Sequence, residues 1–332
     1  MFPVSSQKKH WLFTDEKEIA QLREQANAAY IVKHGSHMTK EKRENHFLSC
    51  QEEESLLRYW EISMKKFCKN FNPPMPKATA ATSLHYFKRF YLRNSVMDYH
   101  PKYIMVTCIY LACKVEEFNV SILQFVANVN GDKEKCCNII INNELLLMQQ
   151  LDYHLTIHNP FRPVEGFLID IRTRFPSLEN PDDLRPLIDE FLEKVFSTDA
   201  VLIYAPSQIA LAAILHAASS TKANLDSYVT DLLLSREQLK NIVAAVKEIR
   251  MMVKGIPATI SVETMKLLEK KLEKCKNPEN DPDSDIYKQR MEEMIDEDDI
   301  SNNKTYAKLT HSQSECSNDK ILDQIFDQSI CN

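Results

Sequence analysis

Residues 84–118, LHYFKRFYLRNSVMDYHPKYIMVTCIYLACKVEEF, decide the fold. They read as two helices separated by a restart at Tyr99-His100-Pro101. Pro101 suits the first position of a helix, where its missing N–H costs nothing. The helix that follows, about 101–115, is apolar on nearly every side until Lys114, Glu116 and Glu117. A helix without a polar face must be wrapped by other helices, and the charges at its C-terminal end must emerge at a surface. A buried axle with a charged tip is a docking architecture, not a catalytic pocket.

Working outward, Leu56, Trp60, Met64, Phe67 and Phe71 make one helical stripe, which Pro73, Pro74 and Pro76 end. A helix over about 76–93 presents Ala80, Leu84, Phe87 and Tyr91. Downstream, a short helix follows Ser121, and another over about 133–152 carries Ile140, Leu147, Met148 and Leu151 before a boundary at Pro160 and Pro163. A shift of 105 positions lays Tyr99-His100-Pro101 on Tyr204-Ala205-Pro206, Ile104 on Ile209, Ile109 on Ile214 and Ala112 on Ala217. An all-apolar helix, IALAAILHAA, follows again. A helix from Leu184 to about Leu202 takes the place of 76–93, and helices near 225–232 and 236–253 complete the second set. The chain thus reads as all-α, with two tandem five-helix repeats, each around a buried central helix.

These repeats divide the chain. Residues 1–50 form an extension whose helix starts at Thr14-Asp15-Glu16 and runs to about Lys33, with a polar loop over 34–46. The first repeat takes 51–159 and the second 160–256; a Lys-rich amphipathic helix takes 257–276. Residues 277–332 hold 14 acidic against 5 basic residues, a net −9 that leaves +3 for the rest, and their composition favours disorder.

Composition excludes several functions. Only four Gly occur among 332 residues, with neither GxGxxG nor GxxxxGK[ST], so nucleotide-cradling loops are not expected. Nine Cys without CxxC spacing read as reduced thiols. The N-terminus lacks an apolar core and the longest apolar stretch, near 104–113, falls short of the ~20 residues of a membrane span, so a soluble intracellular protein is expected. His34 and His37 have no third ligand nearby, and His154 and His158 flank the end of a helix; both pairs read as structural, with no metal. No Ser-His-Asp or Cys-His grouping can be argued, and no cofactor is expected.

The segments KRFYL, NSVM, YHP, LACKVEEFNVS, ELLLMQQL, HNPFRPVEGFLID and LENP, within the two-repeat pattern, resemble the cyclin family. Within it the resemblance is to the regulatory subunits of the CDK-activating kinase and of transcription factor IIH, and it covers roughly residues 5–275. It implies a non-catalytic activator of a cyclin-dependent kinase, working in the nucleus. Its implied partners are that kinase, a RING-finger assembly factor and the factor IIH core, with no direct nucleic acid and no membrane. The family's two kinase-binding residues fall here on Lys114 and Glu144, with Ser219 opposite Lys114 in the second repeat. They would bond main-chain groups around the kinase C-helix and hold its Glu in reach of the strand-three Lys. Phe118, Leu147 and Leu151 are candidates for the apolar contacts, and Trp11 and Phe13 belong to a segment implied to pack near the C-terminal helix and add to that contact. The first helix, EEESLLRYWEISMKKF, departs from the family's MRAIL-type docking patch.

Plainer readings stand beside these. Lys114 could serve only as a cation at a helix C-terminus, worth ~0.3–1 kcal/mol. Glu144, beside an apolar stripe, is either paired within the protein or waiting for a partner's N–H groups. Two rivals to the kinase activator are a promoter-gripping factor of the IIB type, disfavoured by the near-neutral body and the lack of a zinc ribbon, and a helical scaffold with no kinase. Ser5, Ser6 and Ser284 are short-motif candidates for phosphorylation.

Overall fold

The computed structural model describes residues 2–233, 236–257 and 261–293. Residues 1–276 make one unit and residues from Asn277 onward a second. Its elements are α1 (Ser6–His10), α2 (Glu16–Gly35), α3 (Lys40–His46), α4 (Cys50–Asn70), α5 (Lys77–Phe90), α6 (Pro101–Val115), α7 (Ile122–Ala127) and α8 (Lys133–Gln150). Then follow α9 (Phe161–Arg174), α10 (Arg185–Val195), α11 (Ala200–Ile203), α12 (Pro206–Ser220), a π-helical turn (Tyr228–Leu233), α13 (Arg236–Lys254) and α14 (Val262–Cys275). Among the described residues there is no strand, and no helix is long and apolar enough to cross a membrane.

Side chains set the helix starts. Asp15 accepts from the Glu18 N–H at 2.9 Å, and Ser49 and Ser121 build capping boxes with Glu52 and Gln124. α6 and α12 are the two axles. Each begins with proline, each is fifteen residues long, and their starts lie 105 positions apart. α6 is buried from Ile104 to Cys113 and is surrounded by α4, α5 and α8. α12 is likewise enclosed by α9, α10 and α13. Both end in the same cap. Glu117 (φ 56°) and Lys222 (φ 59°) take the left-handed conformation, while Phe118 N–H returns to the Cys113 carbonyl and Ala223 N–H to the Ala218 carbonyl, each at 2.9 Å.

Three expectations need correction. The supposed loop over 34–46 contains α3; its sequence KEKRENH has no apolar periodicity, and it is held by Arg43 donating to the Gly35 carbonyl at 2.7 Å. The single helix from Leu184 to about Leu202 is broken, because α10 stops at Val195 and α11 restarts at Ala200. Thr198 Oγ1 caps back to the Val195 carbonyl at 2.7 Å, and Asp199 turns aside into ion pairs. The helix near 225–232 is the π-helical turn. In the second unit, Asn277 Oδ1 caps a short 3-10 turn at Pro278–Asn280; the tail beyond Glu293 lies outside the described residues.

Candidate functional site

The C-terminal tip of α6 and the middle of α8 meet at Lys114 and Glu144. The Lys114 ammonium donates to both carboxylate oxygens, at 2.7 and 2.8 Å, and lies 4.8 Å from the Tyr110 ring centroid. The pair sits at the surface: the Lys114 side chain is 47% exposed and that of Glu144 20%. Of the two readings left open for Glu144, pairing within the protein is the one observed. The pair is not closed to a partner. An ammonium has three N–H donors and a carboxylate about four lone-pair sites, so each can bond further without separating. Glu116 is not available in the same way, since it accepts from Thr82 Oγ1 at 2.6 Å.

The apolar surroundings differ from expectation. Leu147 and Leu151 are fully buried and cannot touch a partner. With Ile140 they form the α8 face pressed on the core around α6. Glu144 lies on that same stripe, but it meets Lys114 at the tip of α6 and keeps partial exposure. The exposed apolar residues are instead Ile141 and Leu145, one turn apart on α8, and Leu123 on α7. Phe118 is half-buried, its ring edge-on to Phe71 at 6.2 Å. Ser219 occupies the matching place in the second repeat and is approached by Arg250 at 3.4 Å, so no Lys-Glu pair is repeated there.

The N-terminal segment binds both repeats. Trp11 is buried, donates from Nε1 to His154 Nδ1 at 3.1 Å, and is stacked by the Arg89 and Arg93 guanidinium groups at 4.9 and 4.8 Å. Burial pushes the Arg89 guanidinium down to about 9. Phe13 N–H reaches the Leu202 carbonyl at 2.8 Å, and Tyr30 donates to the Cys275 carbonyl at 2.7 Å. Trp11 is therefore an internal anchor, not a contact for a partner. A set of charges also joins the repeats: Arg23 binds both oxygens of Asp199, while Lys88 reaches Glu61 at 2.8 Å and Asp199 at 3.4 Å. Nothing in the sequence pattern announces either cluster, since their members lie up to 176 positions apart. Ser5 caps α1 by accepting from Lys8 N–H, and Ser284 accepts from Tyr287 N–H, so each hydroxyl has a local structural role. Among the described residues no group of three or more His, Cys, Asp or Glu could hold a metal.

The model of the cyclin N-terminal domain matches residues 30–156 and that of the cyclin C-terminal domain residues 159–254. The chain belongs to the cyclin family. It is 45% identical to Cyclin-H of Xenopus laevis over 286 residues, which is 84% of this chain and 88% of that protein. In structure it is similar to a chain of the CAK complex of Chaetomium thermophilum bound to ATP-gamma-S, with a TM-score of 0.73, 24% identity, and 88% of this chain and 93% of that one covered. It is also similar to a chain of the yeast TFIIK complex, with a TM-score of 0.56, 24% identity, and coverage of 75% and 99%. At those identities the structural likeness concerns the fold alone.

Proposed function

We propose that this chain is the non-catalytic regulatory subunit of a cyclin-dependent kinase, acting in the CDK-activating kinase and, through factor IIH, in RNA polymerase II transcription in the nucleus. The likeness to Cyclin-H over most of both chains supports this reading. The observation that carries the mechanism is the Lys114–Glu144 pair standing at the surface, flanked by exposed Ile141 and Leu145. The first repeat, 51–159, faces the kinase. Lys114 donates to a carbonyl, and Glu144 accepts from N–H groups, at the kinase C-helix. The activator binds the turned-in C-helix better than the turned-out one; moving that equilibrium from 1:99 to 99:1 takes about 5.5 kcal/mol. Two charge-assisted bonds supply roughly 1.5–3 kcal/mol each, and the exposed apolar residues the rest. The RING-finger factor and the factor IIH core complete the assembly.

The test is kinase activity of the reconstituted pair. Lys114→Ala with Glu144→Ala lowers activation by about tenfold or more, each 1.4 kcal/mol of lost differential binding being a factor of ten. The same double variant unfolds at nearly the wild-type temperature. Normal activation by a folded double variant would place the kinase elsewhere.

A further inference from the structure

The two repeats do not close completely on one another. α4 and α5 on one side and α9 and α10 on the other leave a groove of about 460 Å³. That lies within the roughly 300–1,000 Å³ of ordinary binding clefts. Its floor is apolar, built from Ala80, Leu84, Phe161, Leu192 and Phe196. Its rim is cationic. Lys65, Lys66, Lys69 and Lys77 line it against only Asp189 and Glu193.

The acidic residues leave much of that charge uncompensated. Asp189 is already paired with Lys77 at 2.6 Å. Lys65 donates to the main-chain carbonyl of Glu193 at 2.7 Å and to Ser197 Oγ, not to a carboxylate. Burial pushes the Lys65 ammonium down to about 8, against the attraction of the Glu61 and Glu193 carboxylates. Lys66 and Lys69 are exposed and enter no ion pair among the described residues. With Ile62 they occupy one face of α4, at helical spacing.

We propose that this groove is a docking site for a short amphipathic helix of a protein partner, apolar on the face that enters and acidic along its flanks. The charge balance selects this occupant. A purely apolar ligand leaves the Lys66 and Lys69 ammonium groups unused, and a nucleic acid has no use for the apolar floor. A helix placing apolar residues one turn apart fills the floor, and its Glu or Asp residues meet Lys66 and Lys69. Because the walls come from both repeats, such a helix also braces one repeat against the other. None of these residues belongs to the Lys114–Glu144 edge, so the proposal stands or falls apart from the kinase reading.

Fluorescence anisotropy with the full chain tests it. The probe is a labelled helical peptide of about 14 residues, long enough to hold some helix in water, with Leu at one-turn spacing and Glu on the flanks. A second peptide carries Lys in place of Glu. The acidic peptide binds wild type at least tenfold more tightly than the basic one. Lys66→Glu with Lys69→Glu reverses that preference, and Ala80→Trp, which fills the groove, removes binding of both. The charge-reversal variant is entirely at the surface and keeps the test valid if Ala80→Trp fails to fold. Absence of binding by the acidic peptide at millimolar concentration would overturn the proposal, as would equal binding of the two peptides. A concentration-dependent dimer in sedimentation that Ala80→Trp abolishes would assign the groove to a second copy of the chain and overturn it too.

Discussion

An ammonium and a carboxylate 2.7 Å apart at a surface do little for folding. Exposed pairs contribute about 0–1 kcal/mol, because water screens them and two long side chains lose freedom. The proposed role of Lys114 and Glu144 in the kinase contact can therefore be tested apart from stability. Exchanging them separates the two roles: Lys114→Glu with Glu144→Lys keeps an ion pair and leaves the unfolding temperature within a few degrees of wild type. It inverts the pattern of donor and acceptor, so activation of the kinase falls as far as it does for the double alanine variant. Activation equal to wild type would mean that any ion pair suffices there. Glu53 is the opposite kind of residue. It is buried, and burial outweighs the bonds from Ser95 and Asn27, raising its carboxyl to about 7 from 4.5. A carboxyl that holds its proton longer when folded makes folding weaken as pH rises from about 4.5 to about 7. Comparing Glu53→Gln with wild type in urea unfolding at pH 4.5 and 7.5 isolates this slope from the opposing one of buried His85, whose charged form burial disfavours. Relative stability of the variant rises by ~1–3 kcal/mol across that range.

A helix with two apolar faces has two jobs, and α8 shows them apart. Leu147 is inside; Ile141 and Leu145 are outside. Leu147→Ala opens a cavity against α6 and costs about 2–5 kcal/mol in chemical unfolding. Ile141→Asp with Leu145→Asp leaves unfolding almost unchanged and weakens kinase binding in a pull-down or calorimetric titration. If the double Asp variant binds as wild type does, the apolar contribution comes from another element. The sequence made α6 legible because proline, a Tyr-x-Pro restart and an unbroken apolar run all agree over 101–115, and the same agreement recurs at α12. It made Lys114 and Glu144 legible as types, through the resemblance, but not as a pair, since 30 positions separate them and spacing does not report which turns of two helices meet. The inward turn of Leu147 and Leu151 is not legible for a related reason. An apolar stripe identifies a face, and only the neighbouring helix decides whether that face is covered. α3 is not legible because a polar helix held by a side chain to a carbonyl carries no hydrophobic period.

At the scale of the whole 1–276 unit, the angle between the two repeats is set by the groups that reach from one to the other. Apolar packing resists separation but tolerates sliding; directional charges resist both. Arg23 from the N-terminal helix, Glu61 and Lys88 from the first repeat and Asp199 from the second form a set of two cations and two carboxylates. Lys88 is 3% exposed and Glu61 8%, so the set is poorly hydrated and each member depends on the others. Burial works to raise the Asp199 carboxyl, and the Lys88 and Arg23 charges and the Arg23 hydrogen bonds outweigh it, holding it well below the usual carboxylate range. A carboxylate stabilised in this way contributes at every pH above its ordinary value and loses that contribution only as acid carries the pH down toward its folded value. Asp199→Asn keeps the shape and removes the charge, leaving Arg23 without a carboxylate and Lys88 with Glu61 alone. Removing one partner of a fully buried pair costs about 3–5 kcal/mol; Asp199 retains some access to water, so the loss is closer to ~2–3 kcal/mol in urea unfolding at pH 7. Adding Arg23→Gln costs less than the sum of the two single changes, because the second substitution removes a cation that the first has already stranded. Additive losses, or no loss in Asp199→Asn, would mean that apolar packing alone fixes the angle between the repeats and that these four charges are bystanders.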